Sequence, residues 1–249
     1  MLNNERWPFI LATPTTADVT IGIDVKNNTA GFTVVSNSGR LVRTVLSESS
    51  QKEQLLESQV KKYVSEILRQ EAREPFVTLR KLVFHRDGRT WPQERSGIRK
   101  AIEALKHDGV LPPDVSYSVL EVSKTSIAPV RLFDVSGLNG AGTRVDNPQV
   151  GYYWIATEED GYLCATGNPF SRHGTVRPLH VRFIEGTIPF EFCLEDLYYL
   201  TALTWSRPDD CTRYPITIKL NDRRLGDDAS EFDRDALEFS DAELTEEVS

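Results

Sequence analysis

Two aspartates stand where apolar, strand-like segments end. Residues 19–23 lead to Asp24, and residues 81–86 lead to Asp87. Strands buried on both faces read as nearly continuous apolar runs, and an ionised carboxylate there is costly unless it is paired or binds a metal. Parallel neighbouring strands would bring the two carboxylates together. The pattern therefore predicts an acidic cluster for divalent cations, which is the chemistry of phosphodiester cleavage.

The elements that must position these aspartates follow from periodicity and turn signals. Helices are predicted at 51–69, at 93–107, at 193–205 and after Tyr214-Pro215, and the strands are predicted at 19–25, 30–35, 41–46, 77–85, 116–122, 129–134, 150–156 and 161–166. The glycine-rich segment 137–143 is predicted to be a loop. A three-stranded meander followed by alternating helices and strands predicts an α/β fold: an RNase H-like mixed sheet, with an antiparallel meander plus parallel strands, flanked by helices.

Composition excludes several classes of protein. The hydrophobic fraction is 39%, which suits a globular domain, and no apolar run approaches the ~18 residues that span a bilayer. The first residues lack the features of a signal peptide. Three widely spaced cysteines, Cys164, Cys193 and Cys211, indicate reduced thiols rather than a disulfide framework or a zinc site. We expect a cytoplasmic protein.

The net charge of -8 is unevenly distributed along the chain. Residues 227–249 contain ten acidic residues and one basic residue, so residues 1–226 carry a net charge of +1. A body near neutrality can still present a basic groove to nucleic acid. We predict one domain over 1–226 and an acidic tail over 227–249 that is flexible or at most a docking helix.

Four ordered blocks resemble the PIWI domain of prokaryotic-type Argonaute proteins. They are Ile21-Gly22-Ile23-Asp24-Val25, His85-Arg86-Asp87-Gly88, Tyr162-Leu163-Cys164 with Gly174-Thr175-Val176-Arg177-Pro178-Leu179-His180, and Asp196-Leu197-Tyr198-Tyr199-Leu200-Thr201 with Cys211-Thr212-Arg213-Tyr214-Pro215. The likeness runs from Trp7 to Leu225. Full-length Argonautes carry guide-anchoring modules (MID, PAZ and N) upstream, and this chain begins at the PIWI domain. We therefore expect the same full-length protein or a partner chain to supply them.

The resemblance implies a two-ion site for Mg²⁺ or Mn²⁺ that includes Asp24 and Asp87. The alternative readings are a turn aspartate capping Asn27 or Asn28 for Asp24, and an ordinary Asp-Gly turn for Asp87. Asp222 matches the fourth acidic position of the family, unless it belongs to the solvated acidic tail. With these three as metal ligands, the catalytic tetrad is completed by a glutamate from a loop.

Alignment on the following helix maps that glutamate to Glu53. Its competing role is a capping box, Ser50-x-x-Glu53, at the start of the predicted helix. Glu48 and Glu57 are rivals for the same position. We expect His85 and His180 not to bind metal, because histidine is rare in magnesium sites.

By resemblance, Lys124, Arg131, Arg177 and Arg213 contact the phosphate backbone, although each could be an ordinary surface cation. The implied function is a guide-dependent endonuclease used in silencing and host defence, with guide and target nucleic acid as partners and no membrane. Three alternatives stay open: a catalytically silent guide- and target-binding module, an actin-like sugar kinase or ATPase, and a lone RNase H or resolvase-type nuclease.

Overall fold

The structure is a computed structural model that describes residues 10–51, 53–123, 130–136, 144–165, 178–204 and 213–226. Its strands are β1 Val19–Lys26, β2 Thr29–Ser36, β3 Leu41–Glu48, β4 Lys81–Asp87, β5 Ser116–Ser123, β6 Asp134–Ser136, β7 Arg144–Asp146, β8 Tyr153–Ile155, β9 Asp160–Leu163 and β10 Leu179–Gly186. Its helices are α1 Glu57–Glu71, α2 Pro92–His107, α3 Phe190–Ala202 and α4 Ile216–Leu225. Lys124, Arg177, Cys211, the loop 137–143 and the tail 227–249 lie outside the described residues.

Eight strands form one mixed sheet in the order β3-β2-β1-β4-β5-β10-β9-β8. The β1–β2–β3 meander is antiparallel, whereas β1–β4 and β4–β5 are parallel. Asn27 and Asn28 both have positive φ in the β1–β2 turn, the conformation that a two-residue type I′ hairpin requires. The predicted RNase H-like fold class, with helices flanking a mixed sheet, is confirmed.

The helices cover the two faces of the sheet in pairs. Helices α1 and α2 pack on one face through a core that includes Val60, Val64, Ile98 and Ile102. The other face carries α3 and α4, with Leu194, Leu197 and Ile218 in the core. Cys193 is a buried free thiol of this second core, and desolvation raises its pKa to about 12. No helix of the described ranges has the length and apolar character needed to cross a bilayer.

Several predicted boundaries are wrong, and two strands were not predicted. The strand predicted at 129–134 lies at Asp134–Ser136, and the helix predicted at 193–205 lies at Phe190–Ala202. The first helix begins at Glu57 rather than at residue 51, and β4 begins at Lys81 rather than at residue 77. No strand was predicted at 144–146, where β7 pairs with β6, or at 179–186, where β10 pairs antiparallel with both β5 and β9. Leu179 and Val181 point into the core while His180 and Arg182 do not, so the period-two alternation of a strand was present in the sequence.

Candidate metal centre

Parallel pairing of β1 and β4 places two aspartates side by side. Ile23 is in register with Arg86, so Asp24 and Asp87 each follow by one residue on neighbouring strands that run in the same direction. Asp24 still pairs with Gly31 of β2, while Asp87 is the last residue of β4. The carboxylates therefore meet at one edge of the sheet, where parallel strands end.

Helix α4 approaches β1 closely at its first turn. A Cβ on Gly22 would lie only 2.1 Å from the carbonyl oxygen of Thr217, so glycine is the residue that allows this contact. The hydroxyl of Thr217 lies 2.9 Å from Nδ1 of His85. One turn later, Thr33 donates a 2.8 Å hydrogen bond to Oδ1 of the buried Asn221. These contacts fix the face that α4 presents to the sheet.

The docked α4 brings a third carboxylate to the two strand aspartates. Oxygens of Asp24, Asp87 and Asp222 all lie within 4.8 Å of one another, and the three side chains are half-buried. Asp222 follows the buried Asn221 directly, so the contact that anchors the helix also positions its carboxylate. Three negative charges this close repel one another unless cations compensate them.

The donor set suits a hard divalent cation. Mg²⁺ prefers oxygen ligands at about 2.1 Å, which places ligands on opposite sides of the ion about 4.2 Å apart. Oxygens within 4.8 Å of one another need only small side-chain shifts to share an ion. Asp24, Asp87 and Asp222 are therefore the residues that would hold a metal. Of the described residues, no histidine or cysteine belongs to this group.

The two histidines singled out by sequence have packing contacts. His85 is completely buried, and desolvation lowers its pKa to about 3, so the ring is neutral near pH 7. His180 stacks on Tyr162 with 4.9 Å between ring centroids, and its Nε2 lies 2.9 Å from Oδ1 of Asp160.

Glu53 does not join the three aspartates. Its side chain is exposed, and its carboxylate is not among the clustered ligand atoms. The alternative role, a capping box with Ser50, is wrong because α1 begins only at Glu57. The first turn is capped instead by Gln59, whose Oε1 accepts the backbone N–H of Leu56 at 3.2 Å. Glu53 thus lies in an irregular segment between β3 and α1.

The rival glutamates have other contacts. Glu57 accepts hydrogen bonds from Ser96 and Lys100 and so links α1 to α2. The backbone carbonyl of Glu48, at the end of β3, accepts hydrogen bonds from Gln59 and Tyr63. Neither carboxylate belongs to the aspartate group.

The family of the chain follows from comparison with known proteins. The family model of the Piwi domain matches residues 8–219, most of the chain. The chain belongs to the Piwi domain family. This membership accounts for the RNase H-like sheet and decides against the sugar kinase, ATPase and resolvase-type alternatives. Among curated proteins, none matches the sequence.

The fold of this Piwi domain is similar to that of solved prokaryotic Argonautes. The Argonaute of Clostridium butyricum, solved with a guide DNA and a 19-mer target DNA, superposes with a TM-score of 0.66 at 19% identity over 88% of this chain. Two structures of Aquifex aeolicus Argonaute give TM-scores of 0.60 and 0.59 at 20% and 21% identity, each over 84% of this chain. The chain covers only 28% of the length of each of these Argonautes.

Two of the four basic residues assigned to nucleic-acid contact lie within the described part of the Piwi domain. Arg131 is half-buried, and its guanidinium donates a 2.8 Å hydrogen bond to the carbonyl of Val130. Arg213 lies over the ring of Tyr214, 4.8 Å from its centroid, and also bonds the Tyr214 hydroxyl. Their contact with phosphate stays a prediction.

Arg86, a buried cation beside the aspartates, was not predicted as part of this site. Arg86 lies between His85 and Asp87 in a largely buried strand and is only 5% exposed. Its Nη1 is 3.7 Å from Oδ1 of Asp24. A buried arginine requires a compensating anion, and Glu94, 2% exposed in the first turn of α2, supplies it. The arginine next to Asp87 was itself the signal that such a carboxylate had to be present.

Proposed function

We propose that this Piwi domain is the nuclease domain of a guide-directed Argonaute and that it hydrolyses a phosphodiester of the target strand. The observation that carries the proposal is the group formed by Asp24, Asp87 and Asp222. Two strands of an RNase H-like sheet and the helix α4 bring their carboxylate oxygens within 4.8 Å of one another. A complete tetrad favours a cutting enzyme over a silent family member, and these aspartates supply three of its four positions.

The three aspartates hold Mg²⁺ or Mn²⁺ in this proposal, in a two-ion site. Bound there, the ions supply an activated water and stabilisation of the leaving 3′ oxygen, which leaves a 3′-hydroxyl and a 5′-phosphate. Glu53 is the fourth acidic residue. Because its carboxylate lies outside the aspartate group, the segment that carries it would have to turn inward in the cutting state.

Recognition of the nucleic acid is divided between the protein and the guide. Base pairing with the guide supplies sequence, while the protein reads the shape and backbone of the duplex. Lys124, Arg131, Arg177 and Arg213 are proposed to contact phosphates. The structural relatives are about three times as long as this chain, and modules in the same protein or a partner chain would anchor the guide.

The test is cleavage by the complete complex. The assay uses a labelled target strand, a complementary guide and Mn²⁺. Asp87→Ala should abolish cleavage, because two aspartates cannot replace the missing ligand. Asp114→Ala is the matched control, since Asp114 is an exposed aspartate outside the cluster. Unchanged cleavage by Asp87→Ala would remove the catalytic proposal.

One observation favours a second function, that of a silent module that binds guide and target without cutting. Glu53 is exposed and separate from the aspartates. In that case the unaltered complex retains a guide–target duplex but produces no cleaved strand at any Mg²⁺ or Mn²⁺ concentration. Measuring binding and cleavage in the same sample distinguishes the two functions.

A further inference from the structure

Arg86 contacts both the strands that carry the aspartates and the segment that carries Glu53. On one side, its Nη1 lies 3.7 Å from Oδ1 of Asp24 and donates a 2.6 Å hydrogen bond to the carbonyl of Asp87. On the other side, its Nη2 donates a 2.9 Å hydrogen bond to the carbonyl of Glu53. A single guanidinium therefore contacts the metal-ligand strands and the segment that carries the fourth acidic residue.

Glu94 contacts both the Arg86 guanidinium and the backbone of the segment that carries Glu53. Its Oε2 is 3.3 Å from Nε of Arg86 and accepts the backbone N–H of Trp91 at 3.1 Å. Its Oε1 accepts the backbone N–H of Leu55 at 3.1 Å. The buried Glu94 of α2 is thus hydrogen-bonded to Leu55, which lies two residues after Glu53.

The position of Arg86 relative to Asp24 has an electrostatic consequence. Ions attract more strongly in a half-buried site than in water, so a guanidinium near a ligand carboxylate competes with a metal for it. Glu94 provides the compensating negative charge on the far side of Arg86. The guanidinium already forms a loose ion pair with Asp24 at 3.7 Å, and without the Glu94 charge that pair would tighten.

We propose that Glu94 is a positioning residue of the metal centre. Through Arg86 it leaves Asp24 available to a divalent cation, and through Leu55 it fixes the backbone on which Glu53 is carried. This inference rests on the proposed function, because it assumes that the three aspartates bind metal. Glu94 itself touches neither the metal nor the substrate.

The first test is Mn²⁺ binding by the whole chain without nucleic acid, measured by the electron paramagnetic resonance signal of free Mn²⁺. Glu94→Gln keeps the size of the side chain but removes its charge, and it should weaken Mn²⁺ binding roughly tenfold or more, as is typical for partners of metal ligands. Glu57→Gln is the matched control, because Glu57 also bridges α1 and α2 but does not contact Arg86. The control should bind Mn²⁺ as the unaltered protein does.

A second variant separates charge competition from loss of structure. Adding Arg86→Gln to Glu94→Gln removes the competing cation and should restore most of the lost Mn²⁺ affinity. A role confined to packing predicts no such recovery. Removing one partner of a buried ion pair is destabilising, so thermal unfolding of each variant is recorded alongside. If the single variant does not fold, Mn²⁺ binding by the double variant is compared with that of the unaltered protein.

Amide hydrogen exchange gives a readout that does not depend on metal. The Leu55 amide should exchange faster in Glu94→Gln and in the double variant than in Glu57→Gln. If Glu94→Gln binds Mn²⁺ normally, or the double variant shows no recovery, the positioning role is wrong while the proposed function survives. If the unaltered protein itself does not bind Mn²⁺, both the proposed metal centre and the positioning role are wrong.

Discussion

At the scale of single residues, the candidate centre depends on where four acidic side chains lie. Asp24, Asp87 and Asp222 form one group with oxygens within 4.8 Å of one another, whereas Glu53 remains exposed. The backbone of Glu53 is nevertheless bonded to Arg86. The residue proposed as the fourth acid is therefore carried by a backbone that contacts the neighbour of Asp87.

We predict that Glu53→Gln strongly lowers the cleavage rate of the guided complex and leaves thermal stability within about 0.5 kcal/mol, as is usual for an exposed side chain. Glu57→Gln provides the comparison, since Glu57 was its sequence rival and lies four residues away. Single-turnover cleavage and thermal unfolding are the measurements. Loss of cleavage in Glu57→Gln with normal cleavage in Glu53→Gln would show that the wrong glutamate has been assigned.

At the scale of elements, α4 is the part that completes the site. It rests on β1 and β2 through Gly22, Thr33 and the buried Asn221, and Asp222 comes next in the chain. The position of the third carboxylate is therefore set by packing of a helix against a sheet. Substitutions that never touch a carboxylate should disturb metal binding.

Gly22→Ala tests this dependence. The added Cβ would lie 2.1 Å from the carbonyl of Thr217, so α4 must move, at an expected cost of about 1–3 kcal/mol, and Mn²⁺ affinity should fall with it. Gly109→Ala is the control because Gly109 has a positive φ and open space around it. It should cost about 1 kcal/mol of backbone strain and leave Mn²⁺ affinity unchanged. Equal Mn²⁺ affinity in the two variants would contradict the role of α4.

A second element contact predicts a dependence of stability on pH. Asp196 of α3 accepts the backbone N–H groups of Thr16 and Ala17 at 2.7 and 2.8 Å. Desolvation nevertheless raises its pKa from 3.8 to about 6. Between those values the folded protein keeps a proton that the unfolded chain releases, so this group contributes less stability as pH rises through the window.

The free energy of unfolding should therefore contain a term from Asp196 that declines by on the order of 3 kcal/mol between about pH 4 and pH 7. Asp196→Asn should lack that decline, although it loses one backbone hydrogen bond at every pH. Urea unfolding of both proteins across this range measures the difference. Asp18→Asn is the matched control, because Asp18 also accepts two backbone N–H groups but is half-exposed. A constant difference between parent and Asp196→Asn would refute the prediction.

At the scale of the whole molecule, charge is separated along the chain. Residues 1–226 carry a net charge of +1, whereas the predicted tail 227–249 carries -9. Acidic residues on the same chain compete with phosphates for basic side chains. The tail should therefore oppose association with nucleic acid at low ionic strength.

Deleting 227–249 should tighten non-specific DNA binding at about 50 mM salt, and the gain should shrink at about 200 mM because salt weakens both competing contacts. The control is a full-length variant in which each Asp of the tail is changed to Asn and each Glu to Gln, because it keeps the size of the tail but removes its negative charge. Fluorescence anisotropy of a labelled oligonucleotide measures the effect. Weaker binding after deletion would mean that the tail contributes a contact of its own.

Sequence patterns predicted most of the fold because apolar periodicity is local. The boundary of α1 was different, since Ser50 and Glu53 mimic a helix start. In the fold, the Ser49 hydroxyl bonds the carbonyls of Gln51 and Gln54, and Glu94 takes the Leu55 amide. These contacts with distant and local partners keep the segment irregular, and local propensity contains no sign of them.

The site was predictable in its strands and less so beyond them. Asp24 and Asp87 end apolar runs, and parallel pairing places them together. Strand β10 was missed because its alternating side chains follow a proline and are interrupted by a bulge between Phe183 and Glu185. The partnership of Arg86 and Glu94 joins a strand to a helix, so only the packed structure shows which carboxylate compensates the buried cation.

The distance along the chain between Asp24 and Asp222 has a consequence during translation. A growing polypeptide on the ribosome has both strand aspartates long before it has α4, and until that helix emerges the face around Gly22 and Thr33 has no cover. The third carboxylate arrives only with nearly all of the described chain. A ribosome-tethered nascent chain should therefore acquire its metal affinity in one late step, when the helix clears the exit tunnel.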